Sequence, residues 1–182
     1  MTGAIGDVLV AVPPEARANP YLAHSAIYKM FAKEGARDFV FSYEPDLGSV
    51  ARVRSRHFAG PALGLMIPLH VPEIGEEVSF RLVAAPARKD SSHSKRREGL
   101  KSDAERLQWL ERKARAAGFE LVGETDVQTS RTKLTKSGTV FYVDRAVFTG
   151  VLRVTDKALF AQALEAGIGP SKAIGFGLLT TH

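Results

Sequence analysis

Short runs in which apolar and polar residues alternate make up most of this 182-residue chain, and three stretches of helical period interrupt them. Ile5 to Val12 predicts a strand. Asn19-Pro20 then predicts a helix entry, with Asn as cap and Pro in the first turn. That helix should run to about Lys33 and turn Ala23, Ile27, Met30 and Phe31 toward the core. Phe39 to Tyr43 and Val50 to Arg54 read as strands, followed by an irregular Pro/Gly-bearing stretch from Phe58 to Pro72. The second half opens on a strand at Val78 to Val83. Ser102-Asp103-Ala104-Glu105 is a capping box for a helix that carries Leu107, Leu110 and Ala114 and stops at Gly118. Phe119 to Val127 and Val140 to Val154 alternate as strands, with Arg131 to Gly138 as a hairpin tip. Leu159, Phe160, Ala163 and Leu164 mark a last helix, capped by Thr155 or Asp156, before a final strand.

The order β-α-β-β-α-β occurs twice, so the expected class is α+β: two tandem ferredoxin-like (RRM-like) domains with antiparallel sheets, residues 1–72 and 73–182. The first is compressed and lacks a clear second helix. Such a fold hosts many activities, so function has to be read from particular residues.

Cysteine is absent, which removes disulfides, a thiol nucleophile and cysteine-bound zinc from consideration. No basic segment precedes the short apolar run Val8 to Val12, and no stretch is long enough to span a bilayer, so a cytoplasmic protein with no membrane partner is expected. The net charge is +5. Arg88, Lys89, Lys95, Arg96, Arg97 and Lys101 crowd one segment against only Asp90 and Glu98, and Arg131, Lys133 and Lys136 share another with no acid. Basic residues clustered in this way suit a polyanion.

Near the carboxyl end, Gly167, Gly169, Gly175 and Gly177 form two G-x-G pairs around Lys172. Glycine lets backbone approach a bulky anion, with N–H groups turned to phosphate. Gly167 alone would be an ordinary helix stop, whereas Gly175 and Gly177 interrupt the strand-like run Ile174-Phe176-Leu178-Leu179. These glycines follow a helix and lead into a strand, which argues against a dinucleotide fold. On the first helix, Tyr21, His24 and Tyr28, with Lys29 beside them, are placed about half a turn from the apolar stripe. Histidine titrates near neutral pH, and grouped hydroxyls can position and protonate an oxygen. His57, His70, His93 and His182 show no ligand spacing, and a mechanism without metal or cofactor is expected.

The run from Gly167 to Leu179 resembles the glycine-rich signature of the CRISPR-associated repeat-RNA endoribonucleases, and nearly the whole chain is similar to their CasE group, which serves type I-E systems. Asn19 to His24, Phe80 to Pro86 leading to Ser94-Lys95-Arg96-Arg97, and Trp109 to Lys113 ending in Gly118-Phe119 agree in order. The resemblance implies a cut in precursor CRISPR RNA beside a repeat hairpin, with Tyr21 and His24 as the catalytic pair. The glycine-rich loop (Gly167, Gly169, Gly175, Gly177), Lys95-Arg96-Arg97 and the segment with Arg131, Lys133 and Lys136 would face RNA. It also implies a stay in a multiprotein surveillance complex. Tyr28 stands where a tryptophan is usual and Ala85 where an asparagine is usual, departures that bear on repeat preference.

In the implied reaction the ribose 2′-OH attacks the adjacent phosphorus and displaces the 5′-oxygen, leaving a 2′,3′-cyclic phosphate. His24 exchanges the proton, Tyr21 orients the ribose or a phosphate oxygen, and Lys172, or a lysine from the basic loop, offsets charge on the phosphorane. Two other readings remain open at this level. One is an RNA-hairpin-binding subunit that does not cut; the other is an acyltransferase that holds a cofactor pyrophosphate on Gly167 to Gly177, against which the helix-then-strand order argues.

Overall fold

A computed structural model describes residues 5–30, 39–44, 48–56, 60–89 and 97–182; of Lys89 and Arg97 it describes the backbone. β1 (Gly6–Ala11) leads through a 3-10 turn at Pro14–Ala16 to α1 (Pro20–Tyr28), then β2 (Phe39–Tyr43), β3 (Val50–Ser55) and the two-residue β4 (Ile67–Pro68). The second half runs β5 (Glu77–Ala84), a small ribbon of β6 (Ala87–Lys89) and β7 (Arg97–Gly99), α2 (Asp103–Ala116), β8 (Phe119–Lys136), β9 (Thr139–Val154), α3 (Lys157–Ala166), a 3-10 turn at Lys172–Ile174 and β10 (Leu179–Thr181). The two four-stranded antiparallel sheets are ordered β2-β3-β1-β4 and β10-β5-β9-β8. In both the spatial order is last, first, third, second, as in a ferredoxin-like unit. Among the described residues no helix lies between β3 and β4, and none is long and apolar enough to cross a membrane.

Local chemistry explains the elements. Asn19 accepts from the Tyr21 N–H at the start of α1, and the helix ends at Tyr28; Lys33 lies outside the described residues. The capping box of α2 forms in full, with Ser102 accepting from the Glu105 N–H while the Glu105 carboxylate takes the Ser102 N–H. Asp156, not Thr155, caps α3. The hairpin departs from expectation: β8 continues through Lys136, so the tip is only Ser137-Gly138. Both residues have positive φ, 48° and 79°, which matches the twist of the flanking strands and allows a two-residue connection.

Each sheet has its own core. Val8, Val10, Phe41, Ala51 and Val53 pack under α1 with Ala23 and Ile27, while Leu82, Phe119, Phe148, Trp109, Phe160 and Leu164 fill the second half. Burying each such Leu or Phe contributes roughly 1.5–3 kcal/mol. The other face of the first sheet carries charge. Asp7 and Arg54 are cross-strand partners, and Arg54, 2% exposed, donates to both Asp7 oxygens at 2.7 and 3.0 Å. Its Nη1 also reaches across to the carbonyls of Leu164 (3.0 Å) and Leu179 (2.9 Å) in the second half. Nearby, Arg56 forms a two-bond pair with Glu165 on α3, at 2.6 and 2.8 Å. The guanidinium holds that carboxyl below the ordinary carboxylate range.

The Arg54 tie yields the first prediction. Arg54→Met leaves the Asp7 carboxylate buried and two carbonyls without their donor, and should cost about 3–5 kcal/mol in denaturant unfolding. Asp7→Asn added to it should recover part of the loss. A single variant as stable as the parent would show that the tie carries no weight.

Candidate active site

α1 packs against the 3-10 turn at Lys172–Ile174, which in turn lies along β2, the edge strand of the first sheet. The turn that carries Lys172 therefore touches the helix that carries Tyr21 and His24, and Lys172 also lines a cavity of about 520 Å³ with Trp109, Lys113 and Gly167. His24 is not on a solvent face opposite the core. Its ring is half-buried, 5.9 Å from both Phe39 and Phe41 and 6.1 Å from Tyr28. The helical period accounts for this: His24 is only about 60° round from Ile27, at the margin of the apolar stripe rather than beyond it.

The hairpin completes the site. The Asn19 side chain donates to the Thr135 carbonyl at 2.8 Å, so the end of β8 is docked on the start of α1. Lys136 Nζ lies 5.3 Å from the centre of the Tyr21 ring, a cation over an aromatic face. Arg131 and Lys133 are exposed farther along the same strand. Arg131 is paired across the ladder with Asp144, 3.4 Å away, and lies over the Tyr142 ring. It is a mid-strand residue, not a tip. Lys95 and Arg96 lie outside the described residues, as does the Arg97 side chain. Arg88, from the same basic segment, is engaged by Glu98 and Glu105 at 3.2 and 3.6 Å.

Three of the four glycines have their N–H groups engaged within the chain. The N–H groups of Gly167, Gly175 and Gly177 donate to Ala163, Lys172 and Val83 carbonyls, at 2.8, 3.4 and 2.7 Å, so they are not turned to a ligand. A Cβ on Gly177 would stand 2.7 Å from the Ile168 oxygen, one on Gly169 2.8 Å from the Trp109 ring and one on Gly175 3.1 Å from the Phe41 ring. These glycines let the terminal segment press against both halves. Phe176 from that segment, with Val83, Ala85 and Val147, seals a small apolar cluster on the second sheet.

Between the hairpin, α1 and the end of β2 lies a cleft of about 450 Å³ lined by four cations, Arg81, Arg131, Lys133 and Arg145, and one acid, Glu44. Tyr43 also lines it; burial pushes the phenol up, and its hydroxyl donates to the Arg17 carbonyl at 3.0 Å. Sequence reading missed Arg81, Arg145 and Glu44. Their only signal was Arg at alternate-face positions of strands. Among the described residues no group of three or more His, Asp and Glu side chains is placed to hold a metal ion.

Two ferredoxin-like halves in tandem are the fold of a solved family. The chain superimposes on a CRISPR endoribonuclease Cse3 bound to a 19-nucleotide RNA with a TM-score of 0.85 at 28% identity, covering 100% of both chains. It also matches a Thermus thermophilus Cse3 bound to an RNA representing a pre-cleavage complex, with a TM-score of 0.84 at 27% identity over 98% of this chain and 99% of the other. The family described as CRISPR associated protein matches residues 69–182, more than half of the sequence, and the chain belongs to that family. Among curated relatives, the CRISPR-associated endoribonuclease Cse3 of Thermus thermophilus is 36% identical over 118 residues, 58% of this chain and 56% of that protein. The match thus spans little more than half of that relative. The CRISPR system Cascade subunit CasE of Escherichia coli is 28% identical over 88% of this chain and 90% of its own length.

Packing of the terminal segment gives a second prediction. Gly177→Ala combines a φ of +93° with a backbone clash and should lower stability by about 1–3 kcal/mol, read as a drop in melting temperature. A variant with the parent melting temperature but weakened RNA binding would restore the phosphate-facing role.

Proposed function

We propose that this protein is an endoribonuclease that cuts precursor CRISPR RNA at repeat hairpins through attack of the ribose 2′-OH, leaving 2′,3′-cyclic phosphate and 5′-OH ends. The observation that carries the reading is the packing of α1 against the Lys172–Ile174 turn, beside a basic hairpin docked on Asn19. The full-length likeness to RNA-bound Cse3 supports it. His24 moves a proton to or from the reacting oxygens, Tyr21 orients the ribose or a phosphate oxygen, and Lys172 offsets charge on the phosphorane. The nucleophile belongs to the substrate, so the protein's tasks are alignment, proton transfer and electrostatics.

Arg131, Lys133 and Lys136 take the RNA backbone, as do Lys95, Arg96 and Arg97, because an A-form duplex hides its bases in a deep, narrow groove and is recognised by shape. The glycines act one step back, by letting the segment that carries Lys172 lie close to β2. Residues 1–72 supply Tyr21 and His24, and residues 73–182 supply Lys172 and the hairpin. We place the protein in the cytoplasm, working with other subunits of a type I-E surveillance complex.

His24→Ala provides the test, and the ring's packing on Phe39 and Phe41 changes what to expect of it. Stability should fall by about 1 kcal/mol, beyond a plain surface change. Hairpin affinity should hold, since it comes mainly from Arg and Lys. The single-turnover cleavage rate should drop at least about a hundredfold. A folded variant that binds and cuts at the parent rate would remove His24 from the reaction.

A further inference from the structure

Glu44, just past β2, is gripped by two arginines of the second sheet. Arg81 on β5 reaches Oε1 at 2.7 Å and Oε2 at 2.8 Å, and Arg145 on β9 also donates to Oε2. One guanidinium already satisfies the carboxylate as a two-bond pair, so the second is surplus to a simple tie across the junction. The trio keeps one net positive charge. A guanidinium offers five N–H donors; Arg145 spends its Nη2 on Glu44 and a long 3.4 Å contact from Nη1 on Ser130 Oγ. Both arginines face the basic cleft, where Glu44 is the one acid among the described lining residues. Their side chains are 34% and 21% exposed and that of Glu44 14%. The carboxylate is the covered member and the cations are the accessible ones.

We propose that Arg81 and Arg145 form a phosphate clamp for the RNA backbone and that Glu44 is a positioning residue that fixes both guanidiniums before RNA arrives. The clamp shares its cleft with the hairpin cations Arg131 and Lys133 and with Pro20, the residue before Tyr21, so a strand held there touches both the hairpin and the start of α1. A planar fork held at both ends suits a phosphate better than a mobile lysine, because little of its freedom is left to lose on binding. Glu44 also sharpens selection: it cancels part of the cleft's charge, which lowers attraction for any polyanion while preserving geometry for one with correctly spaced phosphates. This inference rests on the reading of the chain as an RNA-cutting protein and adds three residues to its substrate site.

The test compares full-length protein with Arg145→Gln, Arg115→Gln and Glu44→Gln variants. Arg145→Gln leaves Glu44 its paired Arg81 and is expected to fold. Arg115 is 76% exposed on α2, and its replacement changes net charge by the same amount away from the cleft. Affinity for a repeat hairpin and for an unstructured RNA of equal length is measured across a salt series, with melting temperature and single-turnover rate on the same samples. Arg145→Gln should flatten the salt dependence of hairpin binding by roughly 0.7 to 0.9 in log-log slope, one phosphate contact, and Arg115→Gln should leave it unchanged. Glu44→Gln should keep the slope yet narrow the preference for hairpin over unstructured RNA. Equal slopes for the two arginine variants would overturn the clamp. A Glu44→Gln protein that merely melts lower, with its preference intact, would overturn the positioning role. If the parent binds the hairpin but never cuts it, the nuclease reading fails while the slopes still decide the clamp; if it cuts and the slopes are equal, the clamp alone fails.

Discussion

A single buried guanidinium sets the geometry on which the rest of the structure depends. Arg54 is held on one side by Asp7 of the neighbouring strand and on the other by two backbone carbonyls, at the end of α3 and at the start of β10. A charge withdrawn from water in this way is costly unless every lone pair and proton finds a partner. The two halves therefore meet in the register that brings the Leu164 and Leu179 carbonyls to the guanidinium, and a sliding or rotated arrangement would leave a buried cation short of them. Hydrophobic burial within each half supplies most of the stability. The polar junction chooses how the halves face one another.

From that register the site follows. With the first sheet fixed against α3 and β10, Val40 on the edge strand β2 meets Gly167, and Phe41 meets Gly175. The terminal segment can then run along β2 and bring Lys172 to α1. On the far side Asn19 holds the hairpin by Thr135, so Tyr21 is placed between Lys136, the last residue of β8, and the body of its own helix. In the proposed reaction, the groups assigned to one phosphodiester thus come from three remote parts of the chain. The bonds of Arg54 and Arg56 across the junction hold these parts in one arrangement, a condition for proton transfer in a fixed geometry.

Much of this was legible in the sequence, and what escaped it shares a cause. The α2 capping box, the Asn-Pro entry to α1 and the alternation in β5, β8 and β9 are local signals, and each produced its element. The two-residue tip was misread because the polar, basic run from Arg131 to Lys136 looks like a loop, although on a solvent-facing strand that composition is ordinary. His24 was placed too far from the core because neighbours on a helix are separated by only 100°, and the rings that receive it, Phe39 and Phe41, come from another element. The glycines announced close approach correctly, and the groups that approach them in the fold are Trp109, Phe41 and Val40. Arg54 with Leu179, and Glu44 with Arg145, are separated by 125 and 101 residues. No pattern of local period points to such pairs; they exist only once the two halves are joined.

The central claim is that this junction uses a nucleophile carried by its RNA. The most direct measurement is single-turnover cleavage of a repeat hairpin in excess EDTA, with the ribose before the scissile bond either intact or 2′-deoxy, and with the product ends sequenced and chemically assigned. The account predicts cutting of the intact RNA at one site, a 2′,3′-cyclic phosphate on the upstream product and no cutting of the deoxy substrate. Cleavage of the deoxy RNA at an undiminished rate would contradict it.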